Sequence, residues 1–435
     1  MKIELHRGFQ VTGCEIEGFK DAVTSMEATT RCVHAHSTTI GLAGVVNSAQ
    51  DSFEIAIVNS NDKKSVSEST NDIMKIVEKY AEANKLTLYW CNPSSKFGLK
   101  ALDMNSFANK PGVTDALVDE LRLGSKMLMI VPDGEQGAKS CVVSDLAFST
   151  LNNRARIGGD AMSGPTIGRV VQLAKAFHYF TPQDLSLIIR SNETANIVIA
   201  AHSGKYAYVP QTILCELYDK IALSFGNPKC LSWCVNHEIS EVYLGFPGIE
   251  AEFADTYKLP TAVTPGLYLS TSDSGDGSLT IRGIWDINGH RAGGPVVKRN
   301  HRGEIDLDAF VENARKTIFA KFASVPERLA HLLTIDVKEP EKTLRSVFLQ
   351  IGVGKSANLG RKASAILFSE LVNELDPKAK YTAYDIAMML ATVPDRCLGM
   401  HHSVVAKMED LFMSAIFADY ETKKDVKDSG SLFLA

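Results

Sequence analysis

Apolar and polar positions alternate with a period of two in several short segments of the first third of the chain. IELHRGFQV, FEIAIVNS, LTLYWC and KMLMIVP show this alternation or a β-branched run, and each predicts a strand. Between them the period becomes helical: in NDIMKIVEKYAEANK, Ile73, Ile76, Val77 and Tyr80 share one face, with Ser69 or Thr70 available as N-cap. The polar, Ser-rich stretch from Asn61 to Asn71 predicts an exposed loop, and Ser94 to Gly112 a long connection.

In the middle of the chain, VVSDLAFSTLNNRARI and GPTIGRVVQLAKAF predict helices, the second capped by Ser163. Thr181, Pro182 and Asp184 stand in the order of a capped helix start, so TPQDLSLIIRS is expected to be helical. ANIVIAAHSGKYAYVP predicts two strands around His202–Gly204, QTILCELYDKIALSF a helix, and SWCVNHEISEVYLGFP a long strand or hairpin. From Gly266 to Gly303, two alternating strands flank a Ser/Asp/Gly turn. A loop is expected after them, ending in Lys298, Arg299, His301 and Arg302. Beyond Asp306 the pattern is helical almost throughout. Val311, Ala314, Ile318 and Phe322 form one stripe, which Pro326 is expected to break. LRSVFLQIG, RKASAILFSELVNEL, YTAYDIAMMLATV and SVVAKMEDLFMSAIFA each carry a one-sided apolar face.

These elements predict an α+β fold: a mixed, mostly antiparallel sheet with flanking helices and a helical C-terminal block. A length of 435 residues exceeds what one core supports. The expected division is an N-terminal α/β domain over 1–135, a central α+β domain over 136–305, a helical region over 306–420 and a charged tail over 421–435.

Charge alters the functional picture. The net charge of -5 is opposite to that of a chain that holds nucleic acid by bulk charge, so any such site must be a local patch. One patch stands out: Arg282, Arg291, Lys298, Arg299 and Arg302, with His290 and His301, lie within a short segment opposed by Asp286. Trp285 and Tyr268 are near in sequence, and aromatic faces beside cations are how single strands are held without sequence preference. The alternative is a solvated loop, or a contact with a neighbour's carboxylates.

Other motifs are weaker. GVGKS at Gly352–Ser356 has Leu349 where a phosphate loop needs its first glycine, so a helix end is expected there. Cys32, His34 and His36 alternate, and in a strand they would share one face; they are the leading metal candidates. Cys230, Cys234 and His237 form a second set, and His401 and His402 a third. None has paired Cys-x-x-Cys spacing. His237–Glu238 is followed by Glu241 where a metalloprotease needs a second histidine, and there is no nucleophile-elbow motif. Asp273 and Asp276 sit in SDSGDGS without the remaining ligands of a calcium loop, which predicts a turn. No cofactor signature is present. Eight cysteines in a chain of this length are too sparse for a disulfide scaffold. No apolar run has the length of a membrane span, and MKIELHRGFQ lacks the layout of a secretory signal. The expected location is the cytoplasm, with no membrane partner.

Over roughly Val142 to Ala418, the order of SDLAFSTLNNRARI, LIIRSNETANIVIAAHSGKYAYVP, PGLYLSTSDSGDGSLTIRGIWDINGHRAGG, RNHRG and YTAYDIAMMLATV resembles one family. It is the phage and plasmid proteins of domain-of-unknown-function family 932. The resemblance implies a mobile genetic element, a host-cell cytoplasmic setting and a place among replication or recombination accessory genes.

The leading expectation is a non-enzymatic, oligomeric protein of phage or plasmid origin that binds single-stranded DNA. Arg291, Lys298, Arg299, His301 and Arg302 would take phosphates, Arg282 would belong to the same patch, and Trp285 or Tyr268 would stack a base. The alternative is a self-assembling phage structural or shell protein, with the tail ending at Leu432–Ala435 docked on a neighbour. The third is a metal-dependent enzyme built on Cys32, His34 and His36.

Overall fold

The structure, a computed structural model, describes residues 2–5, 8–44, 52–56, 87–91, 99–102, 127–132, 138–158, 172–173, 176–192, 196–274, 278–301, 305–351, 361–396 and 402–421. Along the chain, strand β1 (Gln10–Gly13) and helix α1 (Ile16–Thr29) come first. Strands β2 (Thr30–His36), β3 (Gly41–Gly44), β4 (Ser52–Ala56), β5 (Thr87–Cys91), β6 (Leu99–Leu102), β7 (Met127–Pro132) and β8 (Ala138–Val143) follow. Helix α2 (Asp145–Ala155) leads to β9 (Asp184–Ser191), β10 (Asn196–Ser203) and helix α3 (Ile213–Phe225). Next are β11 (Lys229–Asn236), β12 (Ser240–Gly245), helix α4 (Pro247–Tyr257), β13 (Val263–Thr271), β14 (Leu279–Ile287) and β15 (His290–Arg299). The C-terminal block contains α5 (Leu307–Thr317), α6 (Ser324–Leu332), α7 (Pro340–Ile351), α8 (Arg361–Asn373), α9 (Ala383–Ala391) and α10 (His402–Ile416).

The strands form two principal sheets. The first has the order β1-β11-β12-β13-β14-β15 and is antiparallel throughout. The second has the order β2-β9-β10-β8-β7-β3-β4-β5-β6, and only β8–β10 and β4–β5 run parallel. The architecture is therefore α+β, mostly antiparallel, with a helical C-terminal block. The β7–β8 ladder spans the domain boundary expected near residue 135, so the second sheet continues across it.

Local sequence explains the central hairpin. Asn288 and Gly289 both have positive φ, 54° and 86°, between the paired residues Ile287 and His290. A two-residue turn of this hand matches the twist of the strands it joins, and Asn-Gly is its favoured pair. The segment expected to be a loop is thus strand β15. Helix α1 arises from Phe19, Ala22, Val23 and Met26, all buried and spaced for one helical face. Helix α9 begins with a reciprocal capping box between Thr382 and Asp385.

Several expectations are corrected. Asp184–Ser191 is a strand between β2 and β10, not a helix. Leu185–Arg190 is buried on both sheet faces, so Leu187–Ile189 is an unbroken apolar run without the alternation that marks a half-exposed strand. Only one strand, β10, forms around His202, and residues 206–210 leave the sheet. Pro326 lies in the first turn of α6, where a missing amide proton costs little, and the break comes before it. Of the helix expected over 164–177, residues 172–173 are helical and Ala176–Phe180 forms a π-helical turn. The expected helix at 71–85, the Gly352–Ser356 loop, Cys397, His401 and the tail over 422–435 lie outside the described residues.

Two apolar cores result. One joins the first sheet, α1 and the C-terminal helices to the inner face of β9 and β10, through Ile188, Ile197, Ile199 and Ala200. The other packs α2 on the opposite face of the second sheet, through Leu185, Leu187, Ile189 and Val198. Where the two sheets meet, the apolar packing gives way to polar side chains.

Candidate functional site at the junction of the two sheets

The expected basic patch separates into two environments. Strand register aligns Ser232, Tyr243, Tyr268, Arg282 and Val296 across the first sheet, so their side chains share a face. Helix α10 closes over that face. Arg282 is 5% exposed and donates to Glu409 Oε2 at 2.7 Å, Asp410 Oδ1 at 2.8 Å and the Ala406 carbonyl at 3.0 Å. Burial works to lower its pKa, but the two carboxylates outweigh it and the pKa is raised. Arg291 stacks 3.7 Å above the Tyr243 ring and donates to Ser232 Oγ at 2.8 Å. Tyr268 gives its hydroxyl proton to Glu241 Oε2 at 2.7 Å. These three residues do come together, but their charges and donors are spent inside the molecule.

Trp285 faces the other way. It is 1% exposed, packs edge-on against Phe322 and donates Nε1 to the Phe322 carbonyl at 3.2 Å. No base reaches its ring. Arg282 and Trp285 are therefore core residues, and neither belongs to a nucleic-acid surface. His301 is buried as well and works through its ring nitrogens rather than as a surface cation. Arg302 lies outside the described residues, while the side chains of Lys298 and Arg299 are exposed and make no hydrogen bond or ion pair among them.

The metal candidates are placed as follows. Cys32, His34 and His36 alternate along β2, as the spacing implies. His34 Nδ1 meets Ser186 Oγ at 3.0 Å and His36 Nδ1 meets Thr38 Oγ1 at 2.7 Å. Cys230 is buried, Cys234 Sγ accepts from Asn236, and His237 contacts Arg190. His402 opens helix α10. Among the described residues, no three His, Cys, Asp or Glu side chains are arranged to hold a metal ion.

Sequence reasoning did not anticipate the polar centre that joins the sheets. Asp273, just beyond β13, is 1% exposed, and Arg190 on β9 is fully buried. Arg190 Nη2 approaches Asp273 Oδ2 at 3.4 Å, and Gln211 Nε2 donates to the same oxygen at 2.5 Å. Arg190 Nη1 also donates to His237 Nδ1 at 2.8 Å and to the His237 carbonyl at 3.0 Å. Since a guanidinium only donates, His237 Nδ1 is unprotonated, and Nε2 donates to the Glu4 carbonyl at 3.0 Å. Burial pulls the Arg190 pKa below the usual arginine range, against the opposing pull of Asp273. Gln211 ties in Ser240, whose hydroxyl donates to Gln211 Oε1 at 2.6 Å. Among the described residues, the buried Asp273 Oδ1 has no hydrogen-bond partner.

Towards the surface the centre continues through aromatic rings. His202 Nε2 donates to the Asp273 carbonyl at 2.8 Å, and its ring stacks on Tyr206 with centroids 3.9 Å apart. The Tyr206 hydroxyl is 2.7 Å from His301 Nδ1, and His301 Nε2 is 3.3 Å from Thr271 Oγ1. Burial lowers the pKa of His202 and of His301. Cross-strand pairing sets His34, Ser186 and His202 side by side on the same sheet face.

The turn after His202 is tightly built. Gly204 donates its amide to the Asp184 carbonyl at 2.9 Å, and a Cβ there would lie 2.5 Å from Asp184 Cβ. Only glycine fits. The turn then presents exposed Lys205 and returns along His301, with the Ala207 amide donating to the His301 carbonyl at 3.3 Å. His301 itself lies two residues beyond the end of β15, where Lys298 and Arg299 are exposed. Arg154, at the end of α2, is close enough for its charge to lower the His202 pKa further. Arg154, Lys205, Lys298 and Arg299 make no side-chain ion pair among the described residues. Exposed Asp184 is the neighbouring carboxylate. Compared with known protein families, with curated proteins and with solved structures, the chain matches none.

Proposed function

We propose that this protein binds single-stranded nucleic acid at the mouth of the junction between the two sheets. The observation that carries this reading is a set of exposed cations without ion pairs among the described residues: Lys205 in the turn that meets His301 through Ala207, and Lys298 and Arg299 at the end of the strand that runs into His301. Phosphates would be held by these three cations and by Arg154. The half-buried Tyr206 ring offers an aromatic face within the same cluster. Lys298 and Arg299 are consecutive on a strand, so they leave opposite faces of its end and would contact successive positions of a backbone rather than one phosphate. Relative to the patch expected from sequence, the site loses Arg282, Arg291, Trp285, Tyr268 and the charge of His301, and gains Arg154 and Lys205. The resemblance to phage and plasmid proteins suits this reading, as does an oligomer that repeats the site along a strand.

The test is fluorescence anisotropy of a labelled single-stranded oligonucleotide at low and moderate salt. Affinity should fall steeply as salt rises, because each phosphate contact releases condensed counterion. Reversing Lys205, Lys298 and Arg299 to glutamate should weaken binding at least tenfold. An unchanged affinity would defeat the reading.

A further inference from the structure

We propose that His202 is a general base and that the junction cleaves single-stranded RNA without a metal ion. The inference rests on the nucleic-acid reading above, which supplies the phosphodiester.

The argument begins with the tautomer. The Asp273 carbonyl can only accept, so the 2.8 Å contact fixes the His202 proton on Nε2. Nδ1 then carries a bare lone pair. Among the described residues it makes no hydrogen bond, and it is not one of the buried polar atoms sealed from solvent. The ring is held in place by the stacked Tyr206 on one side and by the Asp273 backbone at its edge. The carbonyl that orients it belongs to a residue locked by Arg190 and Gln211. A neutral, oriented imidazole with one free nitrogen is the arrangement of a general base, and burial keeps it neutral near pH 7. Arg154, whose charge reaches the ring, is a cation able to stabilise charge developing on a phosphoryl group, and exposed Lys205 follows three residues on in the same turn.

A lone base needs a nucleophile that the substrate itself provides. The ribose 2′-hydroxyl does so, and deoxyribose does not. In the step proposed, His202 Nδ1 takes the 2′-hydroxyl proton and the 2′-oxygen forms a bond to the adjacent phosphorus. The bond from phosphorus to the 5′-oxygen breaks, and that oxygen takes a proton from water. The products are a 2′,3′-cyclic phosphate and a 5′-hydroxyl, and His202 returns its proton to solvent. No electrons are exchanged and no co-reactant is required.

The experiment incubates purified full-length protein in EDTA with end-labelled single-stranded RNA and, in parallel, DNA of the same sequence. Binding of both is followed by anisotropy. The expected result is binding of both strands, cleavage of RNA alone and a cyclic phosphate end. His202→Gln should slow cleavage at least 100-fold, in the range usual for loss of a general base. The wild-type rate should climb with pH through the lowered imidazole range below 6.5 and level off above it, a profile that a purely structural histidine would not give. RNA bound but left intact overturns the cleavage proposal and leaves the binding reading standing. Failure to bind either strand removes both. Cleavage that survives His202→Gln, or that EDTA abolishes, also overturns it.

Discussion

Two groups of cations from neighbouring stretches of sequence meet opposite fates. Arg282 and Arg291 lie on the face of the first sheet beneath α10, where Glu409, Asp410, Tyr243 and Ser232 take up their donors. Lys298 and Arg299, further along the same hairpin, remain exposed, and their side chains make no ion pair among the described residues. Density of positive residues along a sequence therefore says little about free positive charge. What decides is whether a carboxylate from a distant element arrives on the same face.

The largest effect that would sharpen this contrast is on stability. Replacing Arg282 with Met strands Glu409, which is 2% exposed, without its counter-charge. A loss of about 3–5 kcal/mol is expected, the usual cost of breaking a buried pair from one side. Urea denaturation measures it, and a loss below about 1 kcal/mol would mean that the face under α10 is wetter than described.

Next in size is Asp273→Asn, which removes the charge that answers Arg190 while keeping the shape. A charge-assisted contact of this kind is worth about 1.5–3 kcal/mol, and the same denaturation series reports it. The unpaired cations should behave in the reverse manner. Lys298→Glu combined with Arg299→Glu should leave stability within about 0.5 kcal/mol, as exposed positions do. Measured by anisotropy, affinity for a single strand should fall at least tenfold. If Arg282→Met and this pair affected binding equally in folded protein, the contrast would fail.

Acidification also probes the junction. His202 and His301 are held below the ordinary imidazole value of 6.5, chiefly by burial. Such a group binds its proton less readily in the folded chain than in the unfolded one. Its contribution to stability is complete above pH 6.5 and is lost as pH falls through the lowered folded value. Thermal midpoints should decline over that window, and His301→Gln should flatten the decline. The smallest expected effect is at the hairpin turn. Gly289→Ala meets open space but adopts φ of 86°, at a cost of about 1 kcal/mol from backbone conformation alone.

Much of the secondary structure was legible because it depends on neighbours in sequence. The C-terminal helices carry one-sided faces, whereas the turn at Asn288–Gly289 was passed over and the strand after it expected as a loop. Helix α1 was not anticipated: Phe19, Ala22, Val23 and Met26 have helical spacing, but the polar residues between them mask it. Strand β9 was misread because Thr181, Pro182 and Asp184 mimic a helix cap, while burial on both faces hides the strand period. The junction was not legible at all. Asp273 reads as one aspartate in a turn, and its partners Arg190 and Gln211 arrive from strands and loops far along the chain. His202 had a faint signal: a histidine followed by Ser-Gly-Lys-Tyr, where the glycine marks a turn too tight for any side chain.

The pairing of β1 with β11 sets an order of events during synthesis. The first strand leaves the ribosome with no ladder to join, because its partner lies roughly half the chain downstream. Strands β11 to β15, linked as successive neighbours, can assemble among themselves as soon as they emerge. Until β1 returns, the outer edge of β11 stays open to strands of other molecules, and it is then that this protein is most exposed to misassembly.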